Sequence, residues 1–386
     1  MPTAPVSLRR RLTRACPVRI PSIAALLALT TACAQSDTPD DPNFTPELIA
    51  STSLPPSAND QVALLADART ACVIDSYEVQ VRCVDGEGAV VGVFGREGEG
   101  PGEFASPAYL ARGEEGTVGV ADLRLGRFTV FEPSGAHVSQ VMMPGGGFPP
   151  LSSFGDILSG ASMDVMALMR GEGVKMNRYD VNIASGEIVG DVESPPGPWD
   201  VECGEVVDGM GEVVDGIPNQ TGGWVFNACE GHLIFVGDAG DATVLRAPTY
   251  VPQVPDEQEV AQREEELKAF NRERGFPESM NLEEPMQRFR TTPKNYHLST
   301  AQQLFDDANR YWIATQRDLR EWSYLDVYEN AEYVGSVRVR DRIRGFDVLG
   351  STLVVLVDRQ VGADAAVVIP DRALDWYDLG EMPFGE

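Results

Sequence analysis

Apolar and polar positions alternate along much of this chain in short runs, each closed by glycine, proline or aspartate. Between residues 62 and 95 the runs VALLAD, ACVID, QVRCVD and AVVGVFG follow one another. Runs of this length, rich in β-branched residues and bounded by turn formers, predict successive antiparallel strands. The stretch from Gly95 to Gly135, GREGEGPGEFASPAYLARGEEGTVGVADLRLGRFTVFEPSG, has the same build: a turn-rich linker, a short apolar segment, then a hairpin of VGVAD and RFTVFE closed at Pro133-Ser134-Gly135. A slide of 47 residues without a gap sets Val73-Ile74-Asp75 on Val120-Ala121-Asp122, Val81 on Phe128, Cys83-Val84-Asp85 on Val130-Phe131-Glu132, and Gly88 on Gly135. A period of this size with several short strands per unit is the signature of a β-propeller blade.

From residue 47 to the end, less an insertion at about 251–293, about 297 residues remain, which at about 47 per unit make six blades rather than seven. The first spans roughly 57–103 and the second runs to about 147. The third, from Phe148 to about Pro198, includes DVMALMR and KMNRYDVN; the fourth, Trp199 to Tyr250, holds GGWVFNA, HLIFVGD and TVLRAP. The fifth contains RYWIAT, SYLDVYE and YVGSVRV, and the sixth RGFDVLG, TLVVLVD, AAVVIP and LDWYDLG. ELIASTSL, at 47–54, is placed to pair with the last blade and close the ring, which removes exposed strand edges. The expected fold is an all-β, six-bladed β-propeller of four-stranded antiparallel blades, with a helical insertion between blades 4 and 5.

That insertion opens with a capping box, Asp256 at the N-cap and Glu259 three residues on, and Gly275 and Pro277 end its first helix. Val260, Leu267 and Phe270 make a narrow apolar stripe, and Leu282, Met286 and Phe289 mark a second helical turn. A helix lying on the propeller as a lid or buttress fits this pattern; a partner-binding helix is the alternative.

Gly98-Glu99-Gly100-Pro101-Gly102-Glu103-Phe104, then Pro107, VGVAD, Arg127 and the apolar run to Gly135 resemble the NHL-type repeat of six-bladed propellers. More broadly, the chain resembles the bacterial six-bladed β-propeller lipoproteins of the TolB-like superfamily, in which a comparable insertion recurs. The resemblance implies architecture and little chemistry.

At the N-terminus, Arg9, Arg10, Arg11, Arg14 and Arg19 precede an apolar run from Ile20 to Leu29, too short to span a bilayer and flanked as in a signal peptide over residues 1–32. Leu29-Thr30-Thr31-Ala32-Cys33 resembles a lipobox, with Cys33 the lipid-attachment site; leucine sits four rather than three before it, and ordinary cleavage near Ala32 or Ala34 is the alternative. Ala34 carries no inner-membrane retention signal, so the family rule implies an outer-membrane anchor facing the periplasm, the alternatives being a soluble periplasmic or secreted protein. Residues 33–46, polar, acidic and proline-bearing, read as a flexible tether, and 47–386 as the propeller domain.

Charge narrows the partners. The signal holds five of the 31 basic side chains and none of the 59 acidic ones, so the rest carries a net charge of −33. Such a surface repels nucleic acid and anionic lipid. The expected partner is an envelope protein, peptide or glycan, with membrane contact only through the anchor and a monomeric domain.

Of six cysteines, Cys16 lies in the signal and Cys33 is the lipidation site, which leaves Cys72, Cys83, Cys203 and Cys229. An even number in an exported chain points to disulfides. A hairpin turn between Asp75 and Gln80 sets Cys72 opposite Cys83 on neighbouring strands, within bridging range. Cys203 and Cys229 would then pair by elimination, with buried free thiols the alternative for both pairs.

Catalytic signals are sparse. Gly95 to Gly102 contains Glu97 and Glu99, no lysine and no following helix, so it reads as an interblade turn rather than a phosphate loop. His137, His232 and His297 show no metal-ligand spacing, and Asp238-Ala239-Gly240-Asp241 lacks the other ligands of a calcium loop. Asp75 and Asp122 end equivalent strands and are expected to cap turns, the sharper alternative being a rim of calcium-binding carboxylates. No catalytic residue, metal ligand or cofactor is assigned. Trp312, Trp322, Trp376, Tyr311 and Tyr324 are expected to pack between blades. Arg124, Arg127, Arg317 and Arg320 sit in predicted rim turns, where propellers meet ligands. The functional expectation is a binding or scaffold module; the alternative is a lactonase- or lyase-like propeller enzyme with calcium or zinc in the channel.

Overall fold

The computed structural model describes residues 43–386 except 114–115, 144–151, 155, 164–169, 171–175, 183–184, 186, 194–212, 299–302, 318–320, 360–370, 381 and 383–386. Six antiparallel sheets make a six-bladed β-propeller. Blade 1 is Ala58–Leu64, Thr70–Asp75, Gln80–Asp85 and Val90–Phe94. Blade 2 is Pro107–Arg112, Val118–Asp122, Arg127–Phe131 and His137–Met142, so the 47-residue repeat falls on equivalent strands. Blade 3 is Ser152–Phe154, Ile157–Met163, Met176–Asn182 and Ile188–Glu193. Blade 4 is Val213–Pro218, Trp224–Ala228, His232–Val236 and Ala242–Arg246. Blade 5 is Gln303–Phe305, Tyr311–Thr315, Trp322–Glu329 and Glu332–Arg340. Blade 6 takes Arg342–Leu349, Thr352–Asp358 and Arg372–Asp378 from the C-terminal part of the chain, and its outermost strand, Glu47–Leu54, from the N-terminal part.

The ring is therefore closed by ELIASTSL, as the sequence predicts. AAVVIP, assigned by sequence to blade 6, lies outside the described residues, as does most of DVMALMR. Asn43–Phe44, inside the expected tether, pairs parallel with Ser336 and Val337 as a fifth strand on blade 5.

Packing explains the strand patterns. Each blade is covered on both faces by its neighbours, so the second strand is largely apolar without alternation: Thr70–Asp75, Val118–Asp122 and Tyr311–Thr315 are buried at every position. Outermost strands are half exposed, as in Val90–Phe94. The core is correspondingly divided among the interfaces. Ile74, Phe104, Val118 and Phe131 join blades 1 and 2; Val62, Leu64, Leu356 and Trp376 join blades 6 and 1; Trp312, Val327, Phe346 and Val355 join blades 5 and 6.

Cys72 and Cys83 stand directly opposite in blade 1, with Cα atoms 4.0 Å apart, and form a disulfide. Both are fully buried against blade 2. Cys229 is also disulfide-bonded; Cys203, its expected partner, lies outside the described residues.

Between blades 4 and 5 the chain forms helices α1 (Glu257–Glu273) and α2 (Glu283–Thr291). The capping box is present: Asp256 accepts from the Gln258 and Glu259 backbone N–H groups at 2.8 and 3.0 Å, and Glu259 Oε2 accepts from Asp256 N at 2.8 Å. Lys294 Nζ closes on Glu259 at 2.9 Å, fastening the far end of the insertion to its start.

Candidate functional site

In a four-stranded antiparallel blade, the start of the innermost strand, the turn between the second and third strands and the end of the outermost strand share one face. The insertion leaves the ring on that face, and so do the second turns of blades 2 and 5, which carry Arg124, Arg127 and Arg317. A cleft of about 550 Å³ opens there at the channel mouth, lined by the first residues of the innermost strands of blades 6, 1 and 2.

All three strands bulge at this level. In blade 1, Ala58 pairs with Asp75 and Val62 with Val73, so Asn59, Asp60 and Gln61 face a single residue. In blade 6, Ile343 pairs with Val357 and Gly345 with Leu356, which leaves Arg344 as the extra residue. In blade 2, Pro107 pairs with Asp122 and Tyr109 with Ala121, which leaves Ala108. A bulge turns side chains out of the ladder and re-aims them, and here every bulged residue lines the cleft. The bulge in blade 1 is shaped by Asn59 Oδ1, which accepts from Gln61 N at 3.0 Å. Gly345 lets the two bulges nest, since a Cβ there would stand 1.9 Å from the Asp60 carbonyl oxygen.

The charged groups of the cleft are paired in series. Arg344 Nη2 donates to both Asp60 carboxylate oxygens at 2.8 and 2.9 Å, and its Nε lies 3.7 Å from Asp358. Arg372 Nε donates to Asp358 at 3.0 Å. Two carboxylates and two guanidiniums thus cancel. Deeper along the same strands, Asp347 Oδ2 accepts from Leu64 N and Arg112 Nη1, both at 2.7 Å, and Arg112 Nη2 donates to the Val348 carbonyl at 2.9 Å. Blades 6, 1 and 2 are thus tied together at the far ends of these inner strands, away from the mouth.

The arginines singled out in the sequence have different fates. Arg124 is exposed on the cleft face. Arg127 is buried and does not reach the rim surface: its guanidinium donates to the carbonyls of Glu99, at 3.1 Å, Gly100, at 2.8 Å, and Glu103. The glycine-rich stretch is thus an interblade turn, whose carbonyls converge on a cation. Arg317 Nη2 donates to Asp326 at 2.5 Å and to Ser336 Oγ at 3.0 Å, and its guanidinium lies 4.4 Å from the Tyr324 ring centre. Arg320 lies outside the described residues.

Asp326 is buried in that network. Thr249 Oγ1 donates to it at 2.5 Å and in turn accepts from Tyr296 Oη at 2.7 Å, so both ends of the insertion dock on blade 5. Burial pushes the Asp326 carboxyl up, against the downward pull of Arg317 and two hydroxyl donors. Blade 6 repeats the arrangement: Arg359 donates to Asp375 at 2.5 and 2.8 Å, to Asp341 at 2.6 Å and to Ser51 Oγ at 2.9 Å. Asp326 pairs with Ser336, and Asp375 with Ser51, at matching ladder positions. The sequence carries a signal for this, Leu325-Asp326-Val327-Tyr328 against Leu374-Asp375-Trp376-Tyr377, which the strand-pattern reading passes over.

The remaining candidates separate. Asp75 and Asp122 cap turns: Asp75 accepts from Tyr77 and Glu78 N–H, and Asp122 from Ala105, Ser106 and Leu125 N–H. His137 is exposed, and His232 Nδ1 lies 3.0 Å from Cys229 O. His297 is buried without a hydrogen-bond partner on either ring nitrogen, and burial depresses its pKa to about 3. Trp312, Trp376 and Tyr311 are buried, whereas Trp322 lies under Arg338 and Arg340. Among the described residues no three His, Cys, Asp or Glu side chains form a metal-ligand group.

No family model matches this chain, and no curated protein matches it. Solved structures similar in fold include U3-55K, at 10% identity and a TM-score of 0.49, covering 86% of this chain and 100% of that one. A member of the DUF4221 family from Bacteroides vulgatus is similar at 11% identity and a TM-score of 0.46, covering 86% of this chain and 97% of that one. Virginiamycin B lyase from Staphylococcus aureus is similar at 9% identity and a TM-score of 0.42, over 85% of this chain and 98% of that one. These are likenesses of fold.

Proposed function

We propose that this protein is an exported, lipid-anchored binding or scaffold module of the cell envelope, and that its recognition site is the cleft at the channel mouth. The observation that carries the site is the coincidence of three bulges, on three consecutive inner strands, with the lining of one cleft. The inner strand of blade 4 also bulges, between Val213 and Asp215, so what distinguishes blades 6, 1 and 2 is that their extra residues meet in one cleft. The nested bulges, with Gly345 against Asp60 and Arg344 held on the Asp60 carboxylate, supply preorganisation, which lowers the entropy cost of binding. Arg124, exposed on the same face, extends the surface available to a protein partner.

Export rests on the basic and apolar N-terminal pattern, and the buried Cys72–Cys83 bridge is in keeping with an oxidising compartment. The lipid anchor at Cys33 and an outer-membrane location facing the periplasm follow from the lipobox-like residues. The test has two parts. With a photo-crosslinking phenylalanine analogue in place of Gln61, adducts form in intact cells; the same analogue in place of Glu87, on the opposite face, gives none. Equal labelling at both positions, or labelling at Glu87 alone, removes the cleft from the argument. Cys33→Ser shifts the protein from the membrane to the soluble fraction; continued membrane association defeats the anchor.

A further inference from the structure

Resting on the reading of the cleft as the recognition site, we infer that its ligand is an uncharged saccharide chain. The argument starts from what the mouth has left to offer. Asp60, Arg344, Asp358 and Arg372 neutralise one another in series, so a charged ligand entering would have to break a pair it meets. A net charge of −28 over the whole chain further disfavours anions. What remains around the pairs is uncharged: the Gln61 side-chain amide, the Asn59 amide nitrogen, and the Ser57 and Ser76 hydroxyls.

These groups both donate and accept, and hydroxyl groups on a ligand do the same. Planar amide and carboxylate groups can bridge two adjacent hydroxyls on a sugar ring, and the Asp60 carboxylate, about a third exposed, keeps lone pairs open to such a bond. Peptides draw much of their affinity from apolar side-chain pockets. Here the apolar lining residues are Ala58, 1% exposed, Ala108, and Tyr109, which packs against the core between blades 2 and 3, and that is little for a peptide. The mouth is open on the solvent side, which accommodates a chain passing across it rather than a small molecule enclosed.

The experiment titrates the whole protein, purified as the cell processes it, with maltohexaose, cellohexaose and chitohexaose, with an oligogalacturonate of the same length, and with a pool of neutral hexapeptides, by calorimetry. At least one neutral oligosaccharide binds and the galacturonate does not. The double variant Gln61→Ala, Ser76→Ala removes two hydrogen-bonding side chains that belong to no charge pair; it weakens saccharide binding about tenfold or more with an unchanged thermal midpoint. Glu87→Ala, on the opposite face, leaves it unaltered. Peptide binding that the double variant abolishes, without saccharide binding, overturns the saccharide class and keeps the cleft. Saccharide binding indifferent to the double variant overturns both. Failure of all three neutral oligosaccharides to bind overturns the saccharide class.

Discussion

Blades 1 and 2 are fastened differently from blades 5 and 6, although all four have the same sheet. In the first pair the polar fasteners are local in sequence and largely made of backbone. Arg127 reaches the carbonyls of Glu99, Gly100 and Glu103 across at most 28 residues, and the disulfide spans 11. In the second pair the fasteners are buried ions: Arg317 meets Asp326 within one blade, and Arg359 joins Asp375 and Asp341 to Ser51, 308 residues away. A carbonyl that loses its guanidinium can turn to water. A carboxylate with almost no exposure, such as Asp326 or Asp375, cannot. Blades 1 and 2 therefore tolerate loss of a partner better than blades 5 and 6.

The largest test deletes the cations. Arg359→Met and Arg317→Met each lower unfolding free energy in urea by about 3–5 kcal/mol, by leaving a buried charge unpaired. Arg127→Met costs about 1–3 kcal/mol, the desolvation cost of carbonyls left short of a donor. The reverse order would break the comparison. Next, Cys72→Ala combined with Cys83→Ala removes a short-loop cross-link and costs about 3 kcal/mol. If the double substitution costs nothing, blade 1 is held by its packing alone.

His297 sharpens the contrast through pH. Its folded pKa, about 3, lies below the ordinary value of 6.5, so the unfolded chain takes up a proton first as pH falls. Stability is unaffected above about pH 6.5 and declines by up to about 1.4 kcal/mol per unit below it, or roughly 2 kcal/mol at pH 5. The Asp326 carboxyl, pushed up by burial, works in the opposite sense. The slope is therefore read as the difference between the native protein and His297→Asn, whose unfolding midpoint should lose that part of its acid dependence. Parallel pH curves for the two would show that His297 does not contribute. The smallest effect belongs to the cleft: Asp60→Asn costs less than about 1 kcal/mol, because the Asp60–Arg344 pair is a quarter to a third exposed. A larger loss would make the pair a structural fastener rather than part of a recognition surface.

Much of the architecture can be read from residue order alone. The 47-residue offset, the facing cysteines, the capping box at Asp256 and the closing strand at 47–54 all depend on local pattern, and pattern survives in sequence. The innermost strands of blades 4 and 5, Val213–Pro218 and Gln303–Phe305, escape it. The first contains Gly216 and Pro218, and the second is three residues long, so neither makes a run. The cleft escapes for another reason. A bulge is a property of pairing, and Arg344 becomes an extra residue only once Gly345 is set against Leu356. Arg127 and Arg317 are visible as turn arginines, but what a turn arginine meets depends on the neighbouring loop or strand. The twin motifs around Asp326 and Asp375 are the one part of the hidden set that a search for repeats of another length, 49 residues, would have exposed.

The outermost strand of blade 6 has a consequence for how the molecule is made. Apart from Asn43–Phe44, Glu47–Leu54 is the first of the described strands to be synthesised, yet its hydrogen-bonding partner, Arg372–Asp378, is the last. Until those last residues arrive, both edges of the ring stand open, with Leu48 and Ile49 about half exposed even in the finished molecule. Contacts at such separation form late and slowly. The clasp thus acts as a completeness check: a chain cut short before Arg372 keeps five blades' worth of sequence but no closed ring, and its two open edges mark it for aggregation or proteolysis.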